Sequence, residues 1–392
     1  MRVVGVIAEY NPFHLGHAYH LAQARRLANA DAVVVVMSSV FTQRGDAALL
    51  SPVDRAKMAL SAGADAVFAL PAAWAVRDAE HFALGGVSIL AGLGCDTISF
   101  GTESTDLAAL QTAAQLLESP DEAFSAAVRT HIDAGLPYPA ALSAAMDATL
   151  PGCGALLANP NSTLAVCYLR ALLRLKATME VVPVQRVGGY HDSTLGSTLP
   201  SATALRGAIL RGDWARVQAA MPEEAYRILR QAAADGRLHR PEALDSALLY
   251  RLRTMPATEY AALPDTSEGI ENRLAAAAET TRAREDLLQS AKTRRYPYAR
   301  LSRMATHALL GMTDEALRAE PLPQAAWLLG FRSDKRELFT HFRERGTLPI
   351  LGKAADLDRS TPWFAECMAY DIWSLGANQP AGLALTQGVV VL

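Results

Sequence analysis

The stretch Val3-Val4-Gly5-Val6-Ile7-Ala8-Glu9-Tyr10-Asn11-Pro12-Phe13-His14-Leu15-Gly16-His17 opens on a continuous apolar run and breaks into a polar turn carrying two histidines. Val3 to Ala8 reads as a buried strand, and Leu15 to Asn29 as a helix with Leu21, Ala24 and Leu27 among its apolar positions. Outward from there the same order repeats. Ala32-Val33-Val34-Val35-Val36-Met37 is uninterrupted and mostly β-branched, as a strand buried on both faces should be. Ser51-Pro52-Val53-Asp54 reads as a helix start: Ser caps, Pro takes the first helical position, and an acid lies in the first turn. A strand from Ala64 to Leu70 stops at Pro71, a helix runs from about Asp78 to Leu93, and a strand from Thr97 to Phe100 follows. This alternation implies an α/β fold with a parallel sheet and right-handed crossovers. Ligands bind such sheets beyond the carboxyl ends of the strands, which here are the loops Glu9 to His17, Ser38 to Asp46 and Gly101 to Ser104.

Helical patterns continue from Leu107 to about Ala148, another helix begins near Asn161, and Met179 to Val187 reads as a further strand. Beyond about residue 225 the pattern is mostly helical and rich in Ala, Leu and Arg. The expected organisation is thus a catalytic α/β domain over residues 1–225 and a mainly α-helical domain over residues 226–392. Hydrophobic residues make up 51% and charged residues 20%, a globular balance, and the net charge of -3 leaves room for a local basic stripe on a chain that is no polycation. Cys95, Cys153, Cys167 and Cys367 form no Cys-x-x-Cys pair, so neither a zinc site nor a disulfide framework is suggested, and a reducing cytoplasm fits. The N-terminal apolar run turns polar at Glu9, too early for a secretion signal, and no uncharged apolar run approaches the roughly 20 residues that span a bilayer.

The turn after the first strand holds the chemistry. A helix N-terminus offers unpaired N–H groups and partial positive charge, which suits an anion. Gly16 allows close approach of a large anion or a base. His14 and His17 can donate to phosphate oxygens as charge builds in a transition state. A bare His-x-Gly-His also suits an ordinary surface turn; the buried strand before it and the Asn11-Pro12 turn favour the site.

His14-Leu15-Gly16-His17 resembles the HxGH signature of nucleotidylyltransferases and class I aminoacyl-tRNA synthetases. The longer string Ile7-Ala8-Glu9-Tyr10-Asn11-Pro12-Phe13-His14-Leu15-Gly16-His17-Ala18-Tyr19-His20 is similar to one narrower family, the tRNA(Met) cytidine acetate ligases. That resemblance implies a Rossmann-like domain that adenylates acetate with ATP and passes the acetyl group to the wobble cytidine of elongator tRNA(Met). It implies that all fourteen residues of the string, together with Gly101, Asn161, Arg186, Ser201 and Thr203, bind ATP, with His14, His17 and Arg206 catalytic. Met37-Ser38 with Phe41 and Gln43-Arg44-Gly45, Phe100-Gly101-Thr102-Glu103, Pro160-Asn161 with Leu164, Arg186 with Tyr190-His191-Asp192, Ser201 to Arg206, Glu268 to Arg273 and Lys292 to Tyr296 also look like family segments. The likeness thins after about residue 310. Ser39 stands where the family usually has Gly, Val40 where it has Asn, and Ala69 where it has Glu, which bears on loop shape and one acidic contact.

Taken as residues alone, Ser201 or Thr203 suits a helix cap and Arg206 a phosphate clamp, though plain capping with a solvent-facing Arg fits as well. Arg44 suits pyrophosphate, RNA backbone or a solvated loop, and Asn161 a cap. His81 reads as a satisfied, partly buried histidine, and Tyr190-His191-Asp192 lacks a third metal ligand at a usual spacing. Arg282, Arg284, Lys292, Arg294, Arg295, Arg300 and Arg303 form the densest basic run, with Tyr296 and Tyr298 interleaved; it suits RNA phosphates and bases, or simply a solvated face. Mg²⁺ is expected to arrive on ATP without a protein cage. The competing readings are a nucleotidylyltransferase acting on a small phosphorylated metabolite and a non-catalytic nucleotide- or RNA-binding protein.

Overall fold

The computed structural model describes residues 1–186, 201–352 and 362–392. Tyr190-His191-Asp192 lie outside the described residues. Five strands form the expected parallel sheet: β1 (Val3–Ala8), β2 (Ala32–Ser38), β3 (Ala66–Leu70), β4 (Thr97–Thr102) and β5 (Glu180–Gln185). Their spatial order is β5-β4-β1-β2-β3. The chain therefore builds to one side of β1 through β2 and β3, then returns to its other side with β4. That reversal lies between β1 and β4, and a crevice opens at such a switch point. Val33 to Met37 are fully buried, as their uninterrupted apolar run requires.

Helix termini follow the local chemistry. Ser51 caps the helix Pro52–Ser61 through its hydroxyl, with Pro52 at the first position. Asp78 caps Ala79–Gly92 and pairs with His81 at 2.9 Å, leaving His81 a half-buried partner of its own cap. The helical stretch after β4 is divided into Leu107–Glu118, Glu122–Asp133 and Tyr138–Thr149.

The region beyond residue 225 holds two kinds of structure. Helices between Asp245 and Leu310 enclose an apolar core of their own, including Leu248, Leu252, Leu274, Leu287, Leu301 and Met304. The chain then re-enters the sheet. β6 (Ala326–Phe331) pairs antiparallel with β3, and β7 (Ile350–Leu351) and β8 (Val390–Val391) pair parallel with β6. Helix Pro362–Gly376 follows β7, and its Trp373 and Tyr370 are buried in the sheet's core. No described helix is long and apolar enough to cross a membrane.

Candidate active site

A cavity of about 540 Å³ opens where β1 and β4 end, a size that suits a nucleotide-class ligand. Its wall is built from the first loop, from Gly101 near the end of β4, from Asn161 and Tyr168 of the helix Pro160–Leu175, and from Arg186 and Arg206.

The two histidines are tied to each other through the backbone. His14 is the N-cap of the helix Leu15–Leu27, and its Nδ1 accepts the N–H of Gly16 at 3.0 Å. Nδ1 of His17 accepts the N–H of His14 at 3.2 Å. The rings stack with centroids 3.7 Å apart. An Nδ1 that accepts a hydrogen bond carries no proton, so each neutral imidazole keeps its proton on Nε2 and is a donor there. Burial, reinforced by Arg186, lowers the pKa of His14 to about 3. Burial drives His17 well below its usual value, with His14, His20 and Arg186 adding to the effect. His20 falls to about 4 for the same reasons of burial and Arg186, and its Nε2 lies 3.3 Å from the Ser99 hydroxyl. All three are therefore neutral at physiological pH.

This arrangement changes one expectation. From the sequence, the N–H groups at the start of the first helix are expected to be free for an anion. In the structure Leu15 N–H donates to the Ala220 carbonyl at 3.0 Å, Gly16 N–H to His14 Nδ1, and His17 N–H to the His14 carbonyl at 2.9 Å. With those backbone donors engaged, the histidines of this turn offer an anion their Nε2–H groups. Gly16 also has a second reason to be glycine: a Cβ there would stand 2.8 Å from His14 Cε1. At Gly101 a Cβ would meet only Arg186 at 3.5 Å, an ordinary contact, so the chain's own packing does not demand glycine and the cavity is what a side chain would enter.

The remaining expected residues divide into lining and support. Ile7 to Asn11, His14, Gly16, His17, Tyr19 and His20 line the cavity. Phe13 does not; it is fully buried and packs against Tyr10 and His17 with centroids 4.8 and 5.5 Å apart. Pro12, Leu15 and Ala18 also lie off the wall. Ser201 is the cap of the helix Ala202–Leu210, its Oγ accepting the Ala204 N–H at 3.2 Å. Thr203 is exposed and accepts Arg206 Nη2 at 3.2 Å. Arg206 lines the cavity while its Nη1 donates to the Asn11 carbonyl at 2.7 Å, so it braces the loop as well as facing the ligand space. Asn161 is not a cap, because Asn159 holds that position; its Oδ1 accepts Arg186 Nη1 at 3.3 Å.

Two supporting residues carry roles absent from the sequence reading: Glu103, within a segment already singled out, and Arg55. Glu103 accepts Asn161 Nδ2 at 2.5 Å and the Ser162 N–H and hydroxyl at 2.8 and 2.9 Å, which orients Asn161 toward Arg186. Burial works against the charge on Glu103, but these hydrogen bonds prevail and its pKa lies below the usual value. Arg55 is fully buried and donates to the carbonyls of Glu9 at 2.7 Å, Ser38 at 2.8 Å and Leu50 at 3.1 Å, and also to Ser39. Carbonyl partners make such a buried cation tolerable, and here they bind the loops after β1 and β2 together. A signal existed: Arg55 interrupts the apolar stripe Pro52, Ala56, Ala59 of its helix. The Ser39 hydroxyl donates to Glu366 of the helix Pro362–Gly376, whose other carboxylate oxygen accepts the Ala72 N–H at 2.5 Å. An acid from the C-terminal helix therefore holds the departure at Ser39 and the backbone just after β3, the strand in which Ala69 is fully buried.

The basic run separates into two groups. Arg284, Arg300 and Arg303 are structural. Arg284 binds the Gly45 carbonyl at 3.1 Å, Asp46 at 3.2 Å and Ser302 at 2.6 Å, whereas Arg300 and Arg303 hold Asp265. Tyr296 is buried with its hydroxyl on the Glu268 carbonyl, so its ring is not free to stack on bases as expected, whereas Tyr298 is half-buried and donates its hydroxyl to Glu285 at 2.6 Å. Arg282, Lys292, Arg294 and Arg295 are exposed.

A profile of the HIGH nucleotidyl transferase family matches residues 1–384. The tRNA(Met) cytidine acetate ligase of Acetivibrio thermocellus is 33% identical, with both chains covered in full. That of a Geobacillus strain is 35% identical over 91% of this chain and 90% of its own. Among solved structures, Thermotoga maritima TmcAL without ligand superposes with a TM-score of 0.93 at 28% identity, and the same protein bound with alpha-thio ATP with 0.89 at 27%, each over the whole of both chains. A cavity at the β1/β4 switch point, walled by paired neutral histidines, in a fold and sequence shared over their full length with these enzymes, leads to one assignment: the chain belongs to the tRNA(Met) cytidine acetate ligase family of HIGH nucleotidyl transferases.

Proposed function

We propose that the cavity forms acetyl-adenylate from ATP and acetate and delivers the acetyl group to the wobble cytidine of elongator tRNA(Met). The observation that carries the reading is the pair of imidazoles whose Nδ1 atoms are engaged by backbone N–H groups, leaving two Nε2–H donors on the cavity wall. Acetate alone is a poor acyl donor because its leaving group would be oxide. Attack of its carboxylate oxygen on the α-phosphorus of ATP expels pyrophosphate and converts that leaving group into AMP. Negative charge on the phosphate oxygens grows during this step. Neutral donors fixed before the reaction answer it without reorganisation. Arg186 and Arg206 add positive charge to the same wall. Among the described residues no three His, Cys, Asp or Glu side chains gather as a metal site. In this reading magnesium enters with the ATP phosphates.

The deciding experiment incubates the protein with ATP, labelled acetate and tRNA(Met), then digests the tRNA and analyses its nucleosides by mass spectrometry. Labelled N4-acetylcytidine at the wobble position is the expected product. Acetate-independent transfer of AMP to a phosphorylated metabolite, with the tRNA untouched, would overturn the reading in favour of a small-molecule nucleotidylyltransferase.

A further inference from the structure

Acetyl transfer to an exocyclic amine needs a proton acceptor. The cytidine N4 lone pair forms the new C–N bond, the acyl C–O bond breaks, and its electron pair leaves on the phosphate oxygen of AMP. The amide is complete only when the nitrogen has also lost a proton. The described residues on the cavity wall offer few groups to take it. The arginines are cations and the tyrosines are protonated phenols. His14 and His17 already use Nδ1 as acceptors and hold their protons on Nε2. His20 places its Nε2 against Ser99. One carboxylate remains among the described lining residues, Glu9, at the carboxyl end of β1.

We propose that Glu9 is the general base of the acetyl-transfer step, receiving the N4 proton of cytidine as acetyl-adenylate is consumed. The proposal rests on the ligase reading above. Oε1 of Glu9 accepts the Gln43 N–H at 2.7 Å, which fixes the carboxylate, and no hydrogen bond from the described residues occupies Oε2. Burial raises the carboxyl pKa, and this prevails over the Gln43 N–H, Arg206 and Arg44, which lower it, with Asp46 adding a small rise. A carboxylate made more basic in this way is a better proton acceptor than one in water. After AMP departs, the proton returns to solvent.

The test separates the two half-reactions in the intact protein. Glu9→Gln keeps an oxygen for the Gln43 N–H but removes the base. Single-turnover transfer from preformed acetyl-adenylate to tRNA(Met) is expected to fall about 10²- to 10⁴-fold, the usual worth of a general base. Acetate-dependent ATP–pyrophosphate exchange is expected to fall by no more than about tenfold, since no proton leaves a nucleophile in that step. Glu9→Asp, which restores a carboxylate, should recover transfer above the Gln variant. A parallel fall of both half-reactions would overturn the proposal and leave Glu9 as a support for the Thr42 to Asp46 loop. Unimpaired transfer in Glu9→Gln would overturn it too. Wild-type protein giving no acetate-dependent exchange would sink the ligase reading itself, and so differs from a failure confined to Glu9.

Discussion

Gly16→Ala tests the geometry of the histidine pair in a way that separates stability from catalysis. In an ordinary helical position the change would stabilise the fold by about 0.5 to 1 kcal/mol, because Gly loses more backbone freedom than Ala on folding. Here the new Cβ would meet His14 Cε1 at 2.8 Å and Nδ1 at 3.0 Å, so the ring must move by several tenths of an ångström. That movement strains the Gly16 N–H to Nδ1 hydrogen bond, now 3.0 Å, which is the side-chain cap of the first helix. Loss of such a cap costs about 1 kcal/mol. The two contributions nearly cancel, so the urea midpoint should shift little. Catalysis has no such compensation. The His14 ring stacks on His17 at 3.7 Å, and turning one disturbs the other. Misplacing one transition-state donor costs about 10²- to 10³-fold, or roughly 3 to 4 kcal/mol. The assay is acetate-dependent ATP–pyrophosphate exchange beside urea denaturation. Wild-type exchange rates in Gly16→Ala would refute the argument, since the ring would have moved without consequence.

His17→Ala should slow adenylate formation about 10²- to 10³-fold while weakening ATP binding far less, because the donor matters most as charge grows; a raised ATP KM at unchanged kcat would reduce His17 to a binding role. Replacing Lys292, Arg294 and Arg295 together with Ala should weaken tRNA binding and lower its salt slope by somewhat under 1 per lost phosphate contact, with exchange nearly intact; unchanged affinity and slope would move the tRNA surface elsewhere. Stability should fall as the pH drops from 6.5 toward 4. Burial holds His14 at about 3 and His20, His239 and His307 at about 4, so below 6.5 the unfolded chain gains protons that the fold does not, at up to about 1.4 kcal/mol per pH unit for each group. Glu366, which burial pushes up to about 7, acts with the opposite sign, as do Glu9, Asp245 and Glu320, whose carboxyl pKa burial also raises, but the histidines held low, His17 among them, outweigh these acids. Urea midpoints at pH 7 and pH 5 measure the balance, and a higher midpoint at pH 5 would contradict it.

The parallel sheet was legible because most of its strands are short apolar runs close to a capped helix, and both signals are local. Ser51-Pro52 and Asp78 mark helix starts within a residue or two of where the chain places them. β6 was not read, although Ala326-Trp327-Leu328-Leu329-Gly330-Phe331 is itself an apolar run. Its partner β3 lies more than 250 residues earlier, and no local pattern encodes a pairing at that distance. The site shows the same division. The residue types of the first loop pointed to phosphate chemistry, but which atoms do the donating depends on which backbone N–H groups are already engaged. That is decided by His14 Nδ1 and by the Ala220 carbonyl, which comes from a distant part of the chain.

The basic run makes the point from the other direction. In sequence its cations look alike. In the fold Arg284 is held by Asp46, the Gly45 carbonyl and Ser302, while the Ser302 and Thr306 hydroxyls bind the carbonyls of Arg44 and Gly45 at 2.5 and 2.6 Å. Gly45 itself has φ +83, and a Cβ there would stand 2.8 Å from the Ser302 carbonyl oxygen. These contacts fasten the loop after β2, whose Gln43 N–H holds Glu9 on the cavity wall, to the helix Tyr298–Leu310. Arg284, one of the charges with the most fixed geometry, therefore supports the cavity wall from outside. Of the exposed ones, Arg295 pairs with Glu268 at 2.8 Å, whereas Arg282, Lys292 and Arg294 keep the freedom that contact with a flexible polyanion requires. A substitution scan across the run should sort by this division: changes at Arg284 should alter exchange through the loop, and changes at Lys292 or Arg294 should alter tRNA affinity alone.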